Sequence, residues 1–257
     1  MTFNPNHLSR RKALATGAVA LGLAAAGLPR LAAAGYSETA VQKGGRVSGT
    51  LAFKGTLPKA DEVLISKDNH HCGEGVVVPD PLRIGTDGQV ADAVVALKGI
   101  TEGKPWADAA NAPRVVQARC RFEPFVQIAA KGAELTILNE DPLLHNIHAY
   151  EIIGRARRTL FNIAQPQAGQ LDRHALKLRR GSVVELDCDA HNWMSAWIYT
   201  SEHPYAVVGT DDGRFLLEDV PAGDYELVAW HPVLGEATQK LALAAGESAE
   251  LAIEFTA

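Results

Sequence analysis

No stretch of this 257-residue chain keeps a helical hydrophobic repeat over three turns. Short runs in which apolar residues alternate with polar ones recur instead, and Gly or Pro turns separate them. Residues 46–53 alternate cleanly and close at Gly55 and Pro58. Further strands are read at 63–65, 76–78 and 91–97, with turns at Pro79-Asp-Pro81 and Thr86-Asp-Gly88 between the last two. A fresh series covers 114–119, 126–129, 134–138, 146–153, 182–186 and 196–199. A closing set lies at 205–208, 214–217, 225–230, 241–244 and 249–255. Residues 101–113 and 155–178 lack a clear period. The first reads as a loop, the second as a surface excursion with one short strand near 175–178. The 23 Gly and 13 Pro suit such a chain, and the fold class expected is all-β, with sheets packed as sandwiches.

One segment concentrates donor atoms. Cys188-Asp-Ala-His191-Asn-Trp-Met194 places a thiolate, an imidazole and a thioether within seven residues. A blue-copper centre needs two His nitrogens and a Cys sulfur in a roughly trigonal set, with a weak axial Met. A loop can supply three of these only by curling around the ion, so the fourth must come from another strand. His145 is the candidate, in Asn139-Glu-Asp-Pro-Leu-Leu-His145-Asn-Ile-His148, directly after the 134–138 strand. His145 and His148 are three apart, and on an extended strand their rings face opposite ways. His145, at the strand entry, is the expected ligand. The chain has two methionines, Met1 and Met194, and a Met used as core filler more often has companions. Zinc is disfavoured, because its sites use Cys, His and carboxylate rather than thioether.

The N-terminus reads as an export signal. Ser9-Arg10-Arg11-Lys12 precedes an apolar run at 13–28, and Ala32-Ala33-Ala34 offers a cleavage site. The run is short and rich in Ala and Gly, which argues against a membrane anchor. It resembles a twin-arginine signal, with Ala13 where an aromatic is usual. A periplasmic mature protein is expected. Residues 1–34 hold four of the 25 basic residues and none of the 30 acidic ones, so the remainder carries a net charge of −9. That balance excludes nucleic acid and anionic membrane as expected partners.

Cys-x2-His-x2-Met resembles the ligand loop of the amicyanin, pseudoazurin and plastocyanin group, with the amicyanin spacing. His145-Asn-Ile-His148 resembles that group's upstream His-Asn-Val-His. Asn139-x-Asp141, Phe161-Asn162, His203-Pro-Tyr205, Thr210-x-Asp212-Gly213-x-Phe215, Val220-Pro-x-Gly223-x-Tyr225 and Trp230-His231 extend the likeness over nearly all of the mature chain. Together they resemble a bacterial family of exported plastocyanin-like proteins, often labelled methylamine-utilisation or carboxypeptidase-regulatory-like proteins. The resemblance implies one type 1 copper, held by His145, Cys188, His191 and Met194. Asn146 and Trp193 would lie beside the metal, Asn146 tying the His145 segment to the Cys188 loop. It also implies that His191 shows its ring edge through an apolar patch and serves as the electron port. Asn192 departs from the group, which usually has Pro there; Asn adds a backbone donor near the metal.

With Cys188 assigned to copper, Cys72 and Cys120 remain as disulfide partners, although sequence alone does not set connectivity. His70-His71-Cys72 admits a second metal site as the alternative reading. The expected architecture is a cupredoxin-like Greek-key sandwich at 114–200 and a carboxypeptidase-regulatory-like (prealbumin- or Ig-like) sandwich at 203–257. Residues 45–113 form an N-terminal β region expected to belong to the second sandwich, which would make the cupredoxin an insertion. The expected function is one-electron transfer with a redox protein such as a periplasmic cytochrome or an oxidoreductase. A copper carrier and a carbohydrate-binding-like module are the alternatives. No nucleophile–base pair marks an enzyme.

Overall fold

The computed structural model describes residues 35–256; the export signal expected at 1–34 lies outside them. No helix among the described residues is long and apolar enough to cross a membrane. The two helices described, Asn69–Cys72 and Asp108–Asn111, are single turns. The regular structure of the described residues is otherwise all strand, and the all-β expectation holds.

Strands from both ends of the chain share two sheets. Gly45–Lys54 runs antiparallel to Arg214–Val220 and parallel to Ser248–Thr256. Val94–Lys98 lies between Ala206–Val208 and Gly223–His231, antiparallel to both, and Gly235–Leu243 completes that sheet. Gly45–Lys54 buries every second residue, as its period requires, and sends Val47, Leu51 and Phe53 into a core shared with Val95, Leu97 and Phe255. Gly49 is needed for the parallel pairing. A Cβ there would collide with the Leu251 carbonyl oxygen.

Residues 114–201 form a second sandwich. One sheet has the order Leu171–Ala175, Glu134–Asn139, Arg114–Ala118, Arg121–Glu123. The other runs Ala156–Gln165, His145–Ile153, Val183–Asp187, Ser195–Ser201, Val126–Ala130. Val115, Leu135, Ile137, Ile147, Leu186 and Ile198 fill the space between them. The Val63–Leu64 and Val76–Val77 hairpin precedes these strands in sequence, yet Ile65 is buried in this second core. Between the sandwiches, Val94 and Trp230 from one meet Val126, Val183, Trp197 and Tyr199 from the other.

The expectation for residues 155–178 requires correction. Ala156–Gln165 and Leu171–Ala175 are full strands, joined by a turn with Gly169 at φ 80°. Each sits at an outer edge of its sheet. An edge strand with little burial on either face needs no clean alternation, so the hydrophobic pattern there is weak.

A buried carboxylate fastens the crossing into Val183–Asp187. Glu151 has a fully buried side chain, yet it accepts hydrogen bonds from the N–H groups of Arg179, Arg180 and Gly181 and pairs with Arg158. Burial alone would raise its pKa, but these donors win and hold it at about 2, below the ordinary 4.5. Its contribution to stability is therefore complete above pH 4.5 and falls away as the pH drops towards 2. Glu151→Gln is expected to cost about 2 kcal/mol at neutral pH. Urea-unfolding midpoints of the two proteins should converge between pH 4.5 and 2.5; a gap unchanged across that window would contradict this role.

Candidate metal centre

At one end of the second sandwich the strand pattern delivers three donors to one point. His145 opens the His145–Ile153 strand, and Cys188 comes directly after Val183–Asp187, its antiparallel neighbour. The loop after Cys188 turns twice. The His191 N–H donates to the Cys188 carbonyl, and the Met194 N–H to the His191 carbonyl. Those turns fold His191 back over the thiol. The ligand atoms of His145, Cys188 and His191 lie within 4.8 Å of one another, and all three residues are buried. Met194 and Trp193 are buried in the same cluster as Cys188, and the Trp193 ring lies 5.0 Å from that of His191.

The outer edges of both rings are tied to carboxylates. His145 Nε2 is 2.8 Å from Asp141 Oδ2, and His191 Nε2 is 2.8 Å from Asp68 Oδ2. An ionised carboxylate only accepts, so each Nε2 carries the hydrogen. In a neutral imidazole the other nitrogen then presents a lone pair. Those two Nδ1 atoms face each other at 2.9 Å, with Cys188 Sγ 3.8 Å from His191 Nδ1. Lone pairs at that separation repel unless a proton or a metal cation lies between them. Burial lowers the pKa of His145 against the pull of Asp141, which favours the neutral, ligating ring. Burial also raises the pKa of the Cys188 thiol, against the opposing N–H groups of Asn146, His191 and Ala190, so forming a thiolate calls for a compensating charge. Two imidazoles and a thiol, with the Met194 thioether buried in the same cluster as the thiol, suit copper by donor chemistry.

The surroundings hold these donors in place. Asn146 Oδ1 accepts from the Cys188 thiol at 3.3 Å and from the Ala190 N–H at 3.1 Å, and its own N–H points at Cys188 Sγ. Asn146 thus joins the His145 strand to the Cys188 loop. Asn139 Oδ1 accepts from the Asp141 N–H and its amide donates to the Leu143 carbonyl, which shapes the turn leading to His145. Asp141 also accepts from the N–H groups of Arg119 and Cys120 and from His71. Burial opposes its charge, but His71, Cys120, His145 and Arg119 hold its pKa at about 2. His148 lies on the opposite side of the strand from His145, stacked on Tyr150 and bonded to Asp189.

Cys72 and Cys120 form a disulfide, with Cα atoms 5.3 Å apart, and Cys188 is a free thiol. His71 contacts Asp141 rather than forming a centre of its own with His70. His71, Cys120 and Asp141 do converge, but the Cys120 sulfur is engaged in the disulfide.

The expectation for His191 is overturned. Its ring is 1% exposed and its outer nitrogen is covered by Asp68, so it presents no edge to solvent. The covering residue comes from a segment 123 positions earlier. Asp68 has no role in the sequence reading, and the roles of His71 and Asp141 at the histidines are ones that spacing does not give. The Asn139-x-Asp141 pair was a usable signal, because a side chain that shapes its own turn fixes the direction of the chain beyond it. A lone Asp in a polar loop offered none.

No family profile matches this sequence, and no curated protein matches it either. Among solved structures, the chain is similar to a purple cupredoxin from Nitrosopumilus maritimus, at 19% identity over 34% of this chain and 98% of that one, with a TM-score of 0.29. It is also similar to amicyanin from Paracoccus versutus, at 16% identity over 42% of this chain and 97% of that one, with a TM-score of 0.28. A copper-containing nitrite reductase from Thermus scotoductus matches at 18% identity over 35% of this chain and 22% of the enzyme, with a TM-score of 0.27.

Proposed function

We propose that this chain is a type 1 copper protein that carries single electrons. The observation that carries the reading is the pair of Nδ1 atoms facing each other at 2.9 Å beside a buried thiol, with both outer nitrogens committed to carboxylates. His145, Cys188 and His191 would hold the metal, with the Met194 thioether as a weak fourth donor. Bound copper supplies a one-electron couple. Everything else is the work of the chain. Asp141 and Asp68 fix the two rings in the tautomer that turns Nδ1 inward, and the Asn146 backbone N–H donates to the Cys188 sulfur. Burial keeps water off the donors and limits rearrangement between oxidation states.

A thiol, two imidazoles and a thioether suit a one-electron couple, so the protein is read as an electron-transfer protein rather than an enzyme. Its partner would be a redox protein such as a periplasmic cytochrome or an oxidoreductase, reached after twin-arginine export. The copper unit at 114–200 is read as an insertion into a regulatory-like sandwich made from residues 45–113 and 203–257. The shared sheets of Gly45–Lys54 and Val94–Lys98 with the C-terminal strands support that reading.

The Met194 assignment has its own test. A thioether adds little to binding but shifts the balance between Cu(I) and Cu(II). Met194→Gln offers a harder oxygen, so it is expected to keep one copper and the colour while lowering the reduction potential. Cyclic voltammetry of the copper-loaded proteins reads this directly. An unchanged potential would remove Met194 from the donor set, and copper that exchanges freely with a chelator and does not cycle would favour a copper carrier.

A further inference from the structure

The metal-facing loop is covered by a segment that precedes the copper unit in sequence. Asp68 stands at the start of the Asn69–Cys72 turn, and its carboxylate is 2.8 Å from His191 Nε2. Three residues on, His71 contacts Asp141, which in turn holds His145. The next residue, Cys72, is bonded to Cys120, whose own N–H donates to Asp141. Ile65 plugs the segment into the core beneath, and Lys67 Nζ reaches the Ala190 carbonyl in the ligand loop. One short stretch therefore touches both histidines, directly or through Asp141, and is covalently clamped beside them.

The backbone has been bent to make these contacts. Six non-glycine residues among those described have left-handed φ values, and three of them meet here: Asp68 at 50°, Arg119 at 54° and Cys120 at 55°. Such conformations are costly for residues with a side chain and persist where surrounding contacts over-determine them. At Arg119 and Cys120 the result is two adjacent N–H groups aimed at Asp141. At Asp68 it is a carboxylate turned onto His191.

The geometry points to Asp68 as a positioning residue for the metal centre, held on His191 by the Cys72–Cys120 clamp so that it sets both the tautomer and the donor strength of that ring. A carboxylate accepting from Nε2–H pushes electron density towards Nδ1 and makes the ring a better donor. A stronger imidazole donor favours Cu(II) over Cu(I), so the contact lowers the reduction potential. This rests on the copper reading above, but the contact between Asp68 and His191 does not need copper to exist.

The test combines a potential with a proton. In copper-loaded protein, Asp68→Asn should raise the potential by an amount equivalent to at least a tenfold shift in the Cu(I)/Cu(II) ratio, about 59 mV for one electron. Cys72→Ser with Cys120→Ser leaves the carboxylate in the sequence but releases it, and should raise the potential as well. The two changes should not add, because Asp68→Asn has little left to remove once the clamp is gone. Additive shifts, or an Asp68→Asn potential equal to that of wild type, would overturn the inference while leaving the copper reading intact. In metal-free protein the contact is read by NMR as a slowly exchanging Nε2–H proton on His191 that is lost in Asp68→Ala. Persistence of that proton in Asp68→Ala overturns the inference even if the clamp variant fails to fold. A wild-type chain that takes up no copper overturns both readings.

Discussion

Cys188→Ala is expected to abolish the colour of the copper-loaded protein. The intense visible absorption of a site of this kind belongs to charge transfer from thiolate to Cu(II), and Cys188 is the free thiol among the described residues. Two imidazoles remain in the variant, so weak copper uptake can persist without the chromophore. The fold should survive. Cys188 is small, and its Ala replacement leaves the Val183–Asp187 pairing to His145–Ile153 and Ser195–Ser201 untouched. The thiol's two hydrogen bonds to Asn146 would be lost, loosening the tie between strand and loop. Visible spectroscopy together with metal analysis distinguishes these effects. A variant that binds copper and keeps an intense band would take Cys188 out of the donor set.

Removing the disulfide should have the largest effect on stability. Cys72 and Cys120 are 48 positions apart, and cross-linking a loop of that length restricts the unfolded chain by about 4 kcal/mol on the chain-entropy model. Cys72→Ser with Cys120→Ser is expected to lose about 2–5 kcal/mol in chemical unfolding. The native state should feel the change locally as well, because the clamp fastens the segment carrying Asp68 and His71. Amide exchange should accelerate across residues 65–73 more than in the Gly45–Lys54 strand, which lies in the other core. Equal stability of the two proteins, or peptide mapping that finds Cys188 in the bridge, would contradict this.

How much of the site was legible in the sequence depends on how local each signal is. Cys188, His191 and Met194 lie in one seven-residue run, so their proximity is nearly a property of the chain itself. His145 was reachable because it comes after a strand whose period is clear, and its separation from His148 decides which ring turns inward. Inner strands such as Gly45–Lys54 bury alternate residues and show it. Ala156–Gln165 and Leu171–Ala175 are edge strands, and their polar faces hide them in a sequence that marks strands by burial. Asp68 illustrates the harder case. Its contact with His191 spans 123 positions and depends on a disulfide, two left-handed turns and a hairpin that packs on the neighbouring sandwich. None of these leaves a mark within a window of ten or twenty residues. The same contact is why the exposed ring edge expected for His191 is absent: that expectation came from the ligand loop alone, and the covering group comes from elsewhere in the chain.

On the proposed reading, His145, Cys188 and His191, with Met194, hold one redox-active copper. The most direct test is a titration of the metal-free mature protein with Cu(II), then visible spectroscopy and one reductive and oxidative cycle. The predicted result is an intense band that saturates at one equivalent, bleaches on adding one electron and returns on reoxidation. A protein that stays colourless with bound Cu(II), or that takes zinc in preference to copper, would rule out this copper centre.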